Sequence, residues 1–276
     1  MDLRRKGWRI IATVGLLVLL LAAWQLVEQQ LNQGRAREGL ASLDVIIPRP
    51  TQILRSFFEN FGLIQSAMAA TLLKASLGFA IGATAAFSIA IAYALLPPVR
   101  LATMPLAYAF NSFPVFGLVP AVILAFGTDS TMSIAIIAAL LSYFPILITL
   151  DHALHTVPTE FCELADLANA GRIRELRHIK FPLGLPALFV GLRLAVPGTI
   201  VGATVGELLG SRDGIGNLIS TSLYELNAPR MYAAFMEIAA VCSIFVIGVM
   251  LLELAIVPWA REKNGSTGIV LSAPKQ

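Results

Sequence analysis

Charged side chains are scarce in this 276-residue sequence, at 13% of all residues, whereas soluble domains usually hold about 25%. Hydrophobic residues make up 57% and the mean hydropathy is +0.77, which is more apolar surface than a water-soluble fold of this size can bury. Aromatic residues are only 8%. The apolar residues are therefore mainly leucine, isoleucine, valine and alanine, which favour helices over the strands of a membrane barrel. The composition predicts an all-α integral membrane protein.

Motifs for disulfides, metals and nucleotides are also missing. Cys162 and Cys242 lie in different kinds of segment, which argues against a disulfide framework. His152 and His155 stand three residues apart, but no cysteine or acidic cluster completes a metal site, so solvated histidines are the simpler interpretation. The stretch 210–216, "GSRDGIG", lacks the lysine of a phosphate-binding loop. The net charge is only +3, without a basic cluster interleaved with aromatics, so no nucleic-acid partner is expected.

Long apolar runs are the dominant positive feature, since about 20 apolar residues cross about 30 Å of hydrocarbon. The sequence predicts about six transmembrane helices, at 8–27, 66–96, 101–126, 132–150, 185–209 and 231–258. The first run resembles a signal peptide, but its cleavage site is poor and its apolar core is long, which favours an uncleaved span.

The order of these runs predicts three parts of the chain. Residues 1–65 hold the first span and an external loop, in which Thr51 is expected to cap a short helix at the membrane surface. Residues 66–258 form the core, and 259–276 form a short polar tail. Loops on the N-terminal side hold about twice as many lysines and arginines as those on the other side. The positive-inside rule therefore predicts that both termini and the charged segment 151–184 are cytoplasmic.

The third run is interrupted by "NSFPVFGLVP", residues 111–120, where two prolines and a glycine weaken the backbone hydrogen bonds. Broken helices occur in membranes where they line a cavity, so this is a candidate pathway segment, with a plain proline kink as the alternative. The candidate pathway residues are Asn111, Ser112, Phe113, Phe116, Ser142, Tyr143 and Glu207. For the polar ones a helix–helix hydrogen bond is the alternative, and Glu207 could instead cap the turn at 210–216.

A charged stretch, "ELADLANAGRIRELRHIKFP", separates the fourth and fifth runs. A helix is predicted from Thr159, with acidic residues in its first turns and an apolar stripe at helical spacing. Asn169 to Gly171 should break it, because asparagine and glycine tolerate left-handed backbone angles. A second helical piece, Arg172 to Lys180, then leads to Pro182. The resulting elbow, 159–182, is too charged for lipid and too apolar on one side for water, so it needs a protein surface.

These residues resemble a motif of binding-protein-dependent ABC importer permeases, E-A-A-x3-G-x9-I-x-L-P. Glu163-Leu164-Ala165, Asn169 and Ile179-Lys180-Phe181-Pro182 match it in register, with asparagine in place of the glycine. Blocks such as "TLLKASLGFAIGATAAF" and "GLRLAVPGTIVGATVGELLGSRDGIGNLI" are similar to the nitrate/sulfonate/taurine-type subfamily. The resemblance covers most of residues 48–222.

The resemblance implies a type I ABC importer permease fold in the inner membrane, without enzymatic activity of its own. It implies a second permease subunit, expected to be an identical copy, two cytoplasmic ATPase subunits that carry ATP and Mg, and an external solute-binding protein. No cofactor is expected on this chain. The residues expected to couple to the ATPase are Glu160, Glu163, Leu164, Ala165, Ala168, Asn169, Ala170 and Gly171. A stand-alone secondary transporter or channel, and more remotely a membrane enzyme, are the alternatives.

Overall fold

The computed structural model describes residues 15–16, 19, 22–30, 47–112 and 114–260. The predicted first span lies mostly outside these residues, as does the predicted tail. Every regular element in the described part is helical. The helices are α1 (22–30), α2 (Pro50–Glu59), α3 (Phe61–Leu95), α4 (Pro97–Asn111), α5 (Val115–Phe126), α6 (Thr131–His155), α7 (Thr159–Leu167), α8 (Arg172–Glu175), α9 (Phe181–Gly210), α10 (Ile215–Tyr224) and α11 (Ala228–Ile256), followed by a 3₁₀ turn, Pro258–Ala260.

Four of the described helices, α3, α6, α9 and α11, are long and apolar enough to cross a membrane. Helices α4 and α5 meet at a bend of 94° and form a fifth crossing if they count as one broken span. These crossings correspond to the second to sixth predicted spans, so the all-α membrane class is confirmed. The predicted interruption of the third span is also confirmed, because the helix ends at Asn111 and restarts at Val115.

Two local predictions are wrong. Helix α2 begins at Pro50 with Arg49 as its N-cap, so Thr51 does not cap it. Proline suits the first helical position because its fixed φ fits the helix and its missing N–H is not needed there. The helical piece predicted from Arg172 to Lys180 is present, but the boundary predicted between it and the fifth span is wrong, because a π-helical turn joins α8 to α9 in one continuous helix, Arg172–Gly210. This widened turn accommodates Pro182, which has no N–H to donate.

Small residues bring α3, α6 and α9 into close contact, and α6 lies between the other two. A Cβ added at Gly78 or Gly82 would overlap the α6 backbone, and one at Gly191 would overlap Thr149 of α6. Close backbone approach of this kind increases the van der Waals contact that holds membrane helices together.

The bundle has two ends with separate apolar clusters. At the α10 end, the starts of α3 and α6 and the end of α9 pack together around Ile64, Ile134 and Ala203. At the α7 end, the ends of α3 and α6 and the segment leading into α9 pack around Leu150, Leu154 and Leu176. Helices α3 and α6 therefore run parallel, with α9 antiparallel to both.

The tight contact at Gly82 gives a first testable prediction. We expect Gly82→Ala to destabilise the bundle by about 1–3 kcal/mol, because the new methyl group overlaps Ser142 and Ala139 of α6. A matched control is Gly248→Ala in α11, where nothing lies within 4 Å of an added Cβ. It should be neutral or stabilising by up to about 1 kcal/mol. Unfolding of the purified chain in detergent, by titration with dodecyl sulfate, measures both, and equal effects would contradict the packing argument.

Candidate functional site

The predicted elbow contains one free-standing helix, α7, with a defined end. Asn169 has φ 47°, so the left-handed turn predicted there is confirmed. The Ala170 N–H donates to the Ala165 carbonyl at 2.9 Å and satisfies one of the last carbonyls of α7. This is the Schellman arrangement, which usually has glycine at the left-handed position. Asparagine substitutes for glycine there because it is the ordinary residue that best tolerates this conformation.

The apolar side of α7 is not covered by the rest of the described chain. Leu164 is 66% exposed and Leu167 is 88% exposed, and Phe161 is also exposed. Among the side chains of α7 that the structure describes, Ala165 is the buried one, at 3% exposure. Of the other predicted coupling residues, Ala170 is half-buried, whereas the rest are exposed: Glu160, Glu163, Ala168, Asn169 and Gly171. The elbow thus presents two large leucines, flanked by carboxylates, to whatever lies beyond this end of the bundle.

An ion pair with a buried carboxylate and a partly exposed arginine lies next to the elbow. The guanidinium of Arg100, at the start of α4, donates from Nε and Nη2 to the two carboxylate oxygens of Asp151, each at 2.8 Å. Asp151 is in the last turn of α6 and is 1% exposed, and His155 Nδ1 lies 3.2 Å from its Oδ1. The pair ties the broken span to the helix that leads into α7. Asp151 was not among the candidate residues named from the sequence, although its position at the end of an apolar run was a usable signal.

The two histidines that sequence analysis considered do not act together. His155 contacts Asp151, whereas His152 is exposed. Within the residues that the structure describes, no group of three histidine, cysteine or acidic residues is placed to hold a metal ion.

The candidate pathway residues fall into separate places. Asn111 and Ser112 are exposed at the bend between α4 and α5, and Phe116 is 49% exposed just after it. Phe113 lies outside the described residues. Ser142 is fully buried and its hydroxyl donates to the Ala139 carbonyl of its own helix. Tyr143 is half-buried and packs on the neighbouring Phe144 ring.

Glu207, the remaining candidate, belongs to a buried charge cluster at the α10 end. Lys74 of α3 is 4% exposed, and its Nζ donates to Glu207 Oε1 at 3.1 Å and to Asp213 Oδ1 at 2.5 Å. Glu207 Oε2 also accepts from the Thr71 hydroxyl at 2.7 Å and from the Gly216 N–H at 3.1 Å. The cluster therefore joins α3, α9 and the first turn of α10.

The turn between α9 and α10 is shaped around this carboxylate. Gly214 has φ 97°, and a Cβ there would overlap the Glu207 side chain. The hydrogen bond from Lys74 lowers the pKa of Asp213, which keeps that carboxylate ionised. Capping of this turn by Glu207 was one of the two roles that the sequence left open, and its carboxylate does accept a hydrogen bond from the Gly216 N–H. Lys74 was not among the candidate residues named from the sequence. The signal was a lysine inside an apolar run, which needs a partner of opposite charge.

Comparison with known proteins decides the family. The family described as "Binding-protein-dependent transport system inner membrane component" matches residues 78–262. The chain belongs to this family. The match extends from the middle of α3 past α11 and includes α7 and the ion pair at Asp151. The chain is thus a permease component of an ABC transport system and a multi-pass inner-membrane protein, as the resemblance in the sequence predicted.

Three relatives illustrate the range of this similarity. The permease is 30% identical over 260 residues to the riboflavin transport system permease protein RibX of Chloroflexus aurantiacus, covering 94% of this chain and 93% of the relative. It is 24% identical over 260 residues to the formylaminopyrimidine transport permease protein ThiX of Halalkalibacterium halodurans, covering 94% and 100%. It is 26% identical over 266 residues to the putative aliphatic sulfonates transport permease protein SsuC of Bacillus subtilis, covering 95% and 91%.

Proposed function

We propose that this permease imports a small solute by alternating access, driven by ATP hydrolysis on separate cytoplasmic subunits. The observation that carries the proposal is the uncovered apolar side of α7, where Leu164 and Leu167 are exposed outside any described span. An exposed apolar surface outside the membrane spans is typical of a protein-binding site. In this family of transporters, the protein expected to bind it is the ATPase subunit, through a groove on its surface. ATP and Mg bind to that subunit and not to this chain.

The links around α7 suit it to transmit displacement. Three residues, 156–158, join it to α6, and the left-handed turn at Asn169 joins it to the continuous helix that becomes α9. The Arg100–Asp151 pair connects the end of α6 to α4. Movement of α7 therefore displaces α6, α9 and the broken span together. A force applied at this end of the bundle can thus shift the equilibrium between its two conformations.

The two ends of the bundle face opposite sides of the membrane. The α7 end faces the cytoplasm together with both termini, and the α10 end receives solute from an external binding protein. A second, identical permease subunit completes the pathway. Three residues at the bend of the broken span line it: Asn111, Ser112 and Phe116. Ser142, Tyr143 and Glu207 support the adjoining helices, and Glu207 holds α10 at the mouth.

The solute is proposed only as a small molecule. The three relatives are named for riboflavin, formylaminopyrimidine and aliphatic sulfonates, which differ in size and charge. Permeases that are about equally similar to this chain are thus named for very different solutes. We therefore infer that the external binding protein supplies most of the selectivity.

Co-purification tests the proposal. A tagged full-length permease, isolated from its own cells in mild detergent, should carry a nucleotide-binding ATPase that mass spectrometry identifies. Glu163→Lys should reduce the amount of this ATPase at least tenfold, because it reverses an exposed charge on α7. The matched control, Glu59→Lys on α2 at the other end, should not. If the lone permease in liposomes takes up riboflavin or an alkanesulfonate without any ATPase, the stand-alone transporter is favoured instead.

A further inference from the structure

A basic segment lies along the edge of the bundle at the α7 end. Residues 172–180 contain four lysines and arginines. Lys180 pairs with Glu175 at 3.0 Å, and Arg172 Nη1 donates to the Leu95 carbonyl at 3.4 Å. Arg174 and Arg177 are exposed, and no ion pair joins either of them to a described acidic side chain. Two guanidinium groups are therefore available on the outer side of this segment.

Two contacts fix the depth of the segment relative to α3. At its start, Arg172 meets Leu95, the last residue of α3. Just beyond its end, the ring of Phe181 packs edge-on against Phe87, with centroids 5.8 Å apart. The segment therefore runs beside the last two turns of α3 and does not lie across the top of the bundle.

The end of α3 lies near the lipid headgroups. The helix has 35 residues, which at about 1.5 Å per residue is about 52 Å, whereas the hydrocarbon core of a bilayer is about 30 Å thick. Its apolar sequence ends at Leu96, directly before the first turn of α4, 97–100, "PPVR". Leu95, and with it the Arg172 end of the segment, therefore lies at the boundary between the hydrocarbon and the headgroups.

The outer surface of the segment combines charge with an exposed apolar side chain. An open surface cleft of about 610 Å³ is lined by Arg172, Arg174, Arg177 and His178, together with Asn169 and Gly171 of the turn after α7. Ile173 also lines it and is 72% exposed. A phospholipid fits both parts of this surface, since it offers phosphate to the arginines and an acyl chain to Ile173.

We propose that this cleft is a binding site for the headgroup of an anionic phospholipid. Its phosphate accepts hydrogen bonds from Arg174 and Arg177, and the upper part of an acyl chain packs on Ile173. Clusters of four or more basic residues next to a span are typical of such sites. The lipid contacts themselves require only that the chain spans a membrane, but Asn169 and Gly171 at the edge of the cleft are also predicted coupling residues, so the test includes the ATPase.

Lipid retention by the full-length permease tests this site without any transport assay. The protein is titrated with phosphatidylglycerol in mixed micelles that also contain phosphatidylcholine, and bound lipid is counted by native mass spectrometry. Arg174→Gln with Arg177→Gln should weaken phosphatidylglycerol binding about 25-fold, since one basic residue near the membrane surface contributes about fivefold. Replacing both by lysine keeps the charge and should retain most of the binding.

Controls separate this site from general charge effects. Arg212→Gln changes a fully solvated arginine at the opposite end, with a side chain that is 92% exposed, and should leave phosphatidylglycerol binding unchanged. Equal retention of the two lipids by the unaltered protein, or unchanged selectivity in the double glutamine variant, would overturn the proposal. So would displacement of the bound phosphatidylglycerol when ATPase subunits are added, because the cleft would then belong to the protein partner.

Discussion

Leu164→Asp combined with Leu167→Asp is expected to release the ATPase subunits from the permease and abolish ATP-driven transport. Both side chains are mostly exposed on α7, and burying a leucine contributes about 1.5–3 kcal/mol. Losing two such contacts weakens association about 100- to 10,000-fold, since every 1.4 kcal/mol is about a tenfold change in affinity. Ionised aspartates in an apolar groove add a desolvation cost. Association of the purified permease with its ATPase in detergent measures the effect.

The same substitutions at the other end provide the control. Leu223 and Leu226 are 58% and 68% exposed beside α10, and Leu223→Asp with Leu226→Asp should leave ATPase association intact. Both double variants should insert and stay monodisperse, because none of the four leucines is buried in the described chain. Normal ATPase association in the Leu164/Leu167 variant would remove the main support for coupling through α7.

Lys74→Met is expected to destabilise the permease by about 3–5 kcal/mol, because breaking a buried ion pair leaves the remaining charge uncompensated. Glu207 is 1% exposed and would keep only the donors from Thr71 and Gly216. The loop that holds Asp213 would lose its anchor as well. Dodecyl sulfate titration of the purified chain measures the loss. Adding Glu207→Gln to Lys74→Met should recover part of it, since the uncompensated charge is then gone.

Lys180→Met is the matched control for this prediction. It breaks the Lys180–Glu175 pair, whose side chains are 23% and 18% exposed, and partly solvated pairs contribute only about 1 kcal/mol or less. If Lys74→Met cost no more than Lys180→Met, the cluster at the α10 end would not be the tie between α3, α9 and α10 that its contacts indicate.

Much of the fold was predictable because hydropathy and backbone preference are local properties. An apolar run of sufficient length specifies a membrane helix wherever it lies in a chain, so α3, α6, α9 and α11 followed from sequence. The break before Val115 and the left-handed turn at Asn169 followed from proline and asparagine for the same reason. The helix boundary predicted at Pro182 was wrong, because a π-helical turn keeps the helix continuous where the proline alone predicted an end.

The sequence by itself determined the helical membrane class, the family and the position of the elbow, since each is encoded in adjacent residues. Only the tertiary structure decided which side of α7 stays uncovered and which charges meet. Lys74 and Glu207 are 133 positions apart, and their pairing depends on the rotation of α3 against α9 about the α6 contact. The sequence shows that each of these charges is costly to bury and needs a partner of opposite charge. Which residue becomes that partner depends on how the helices pack.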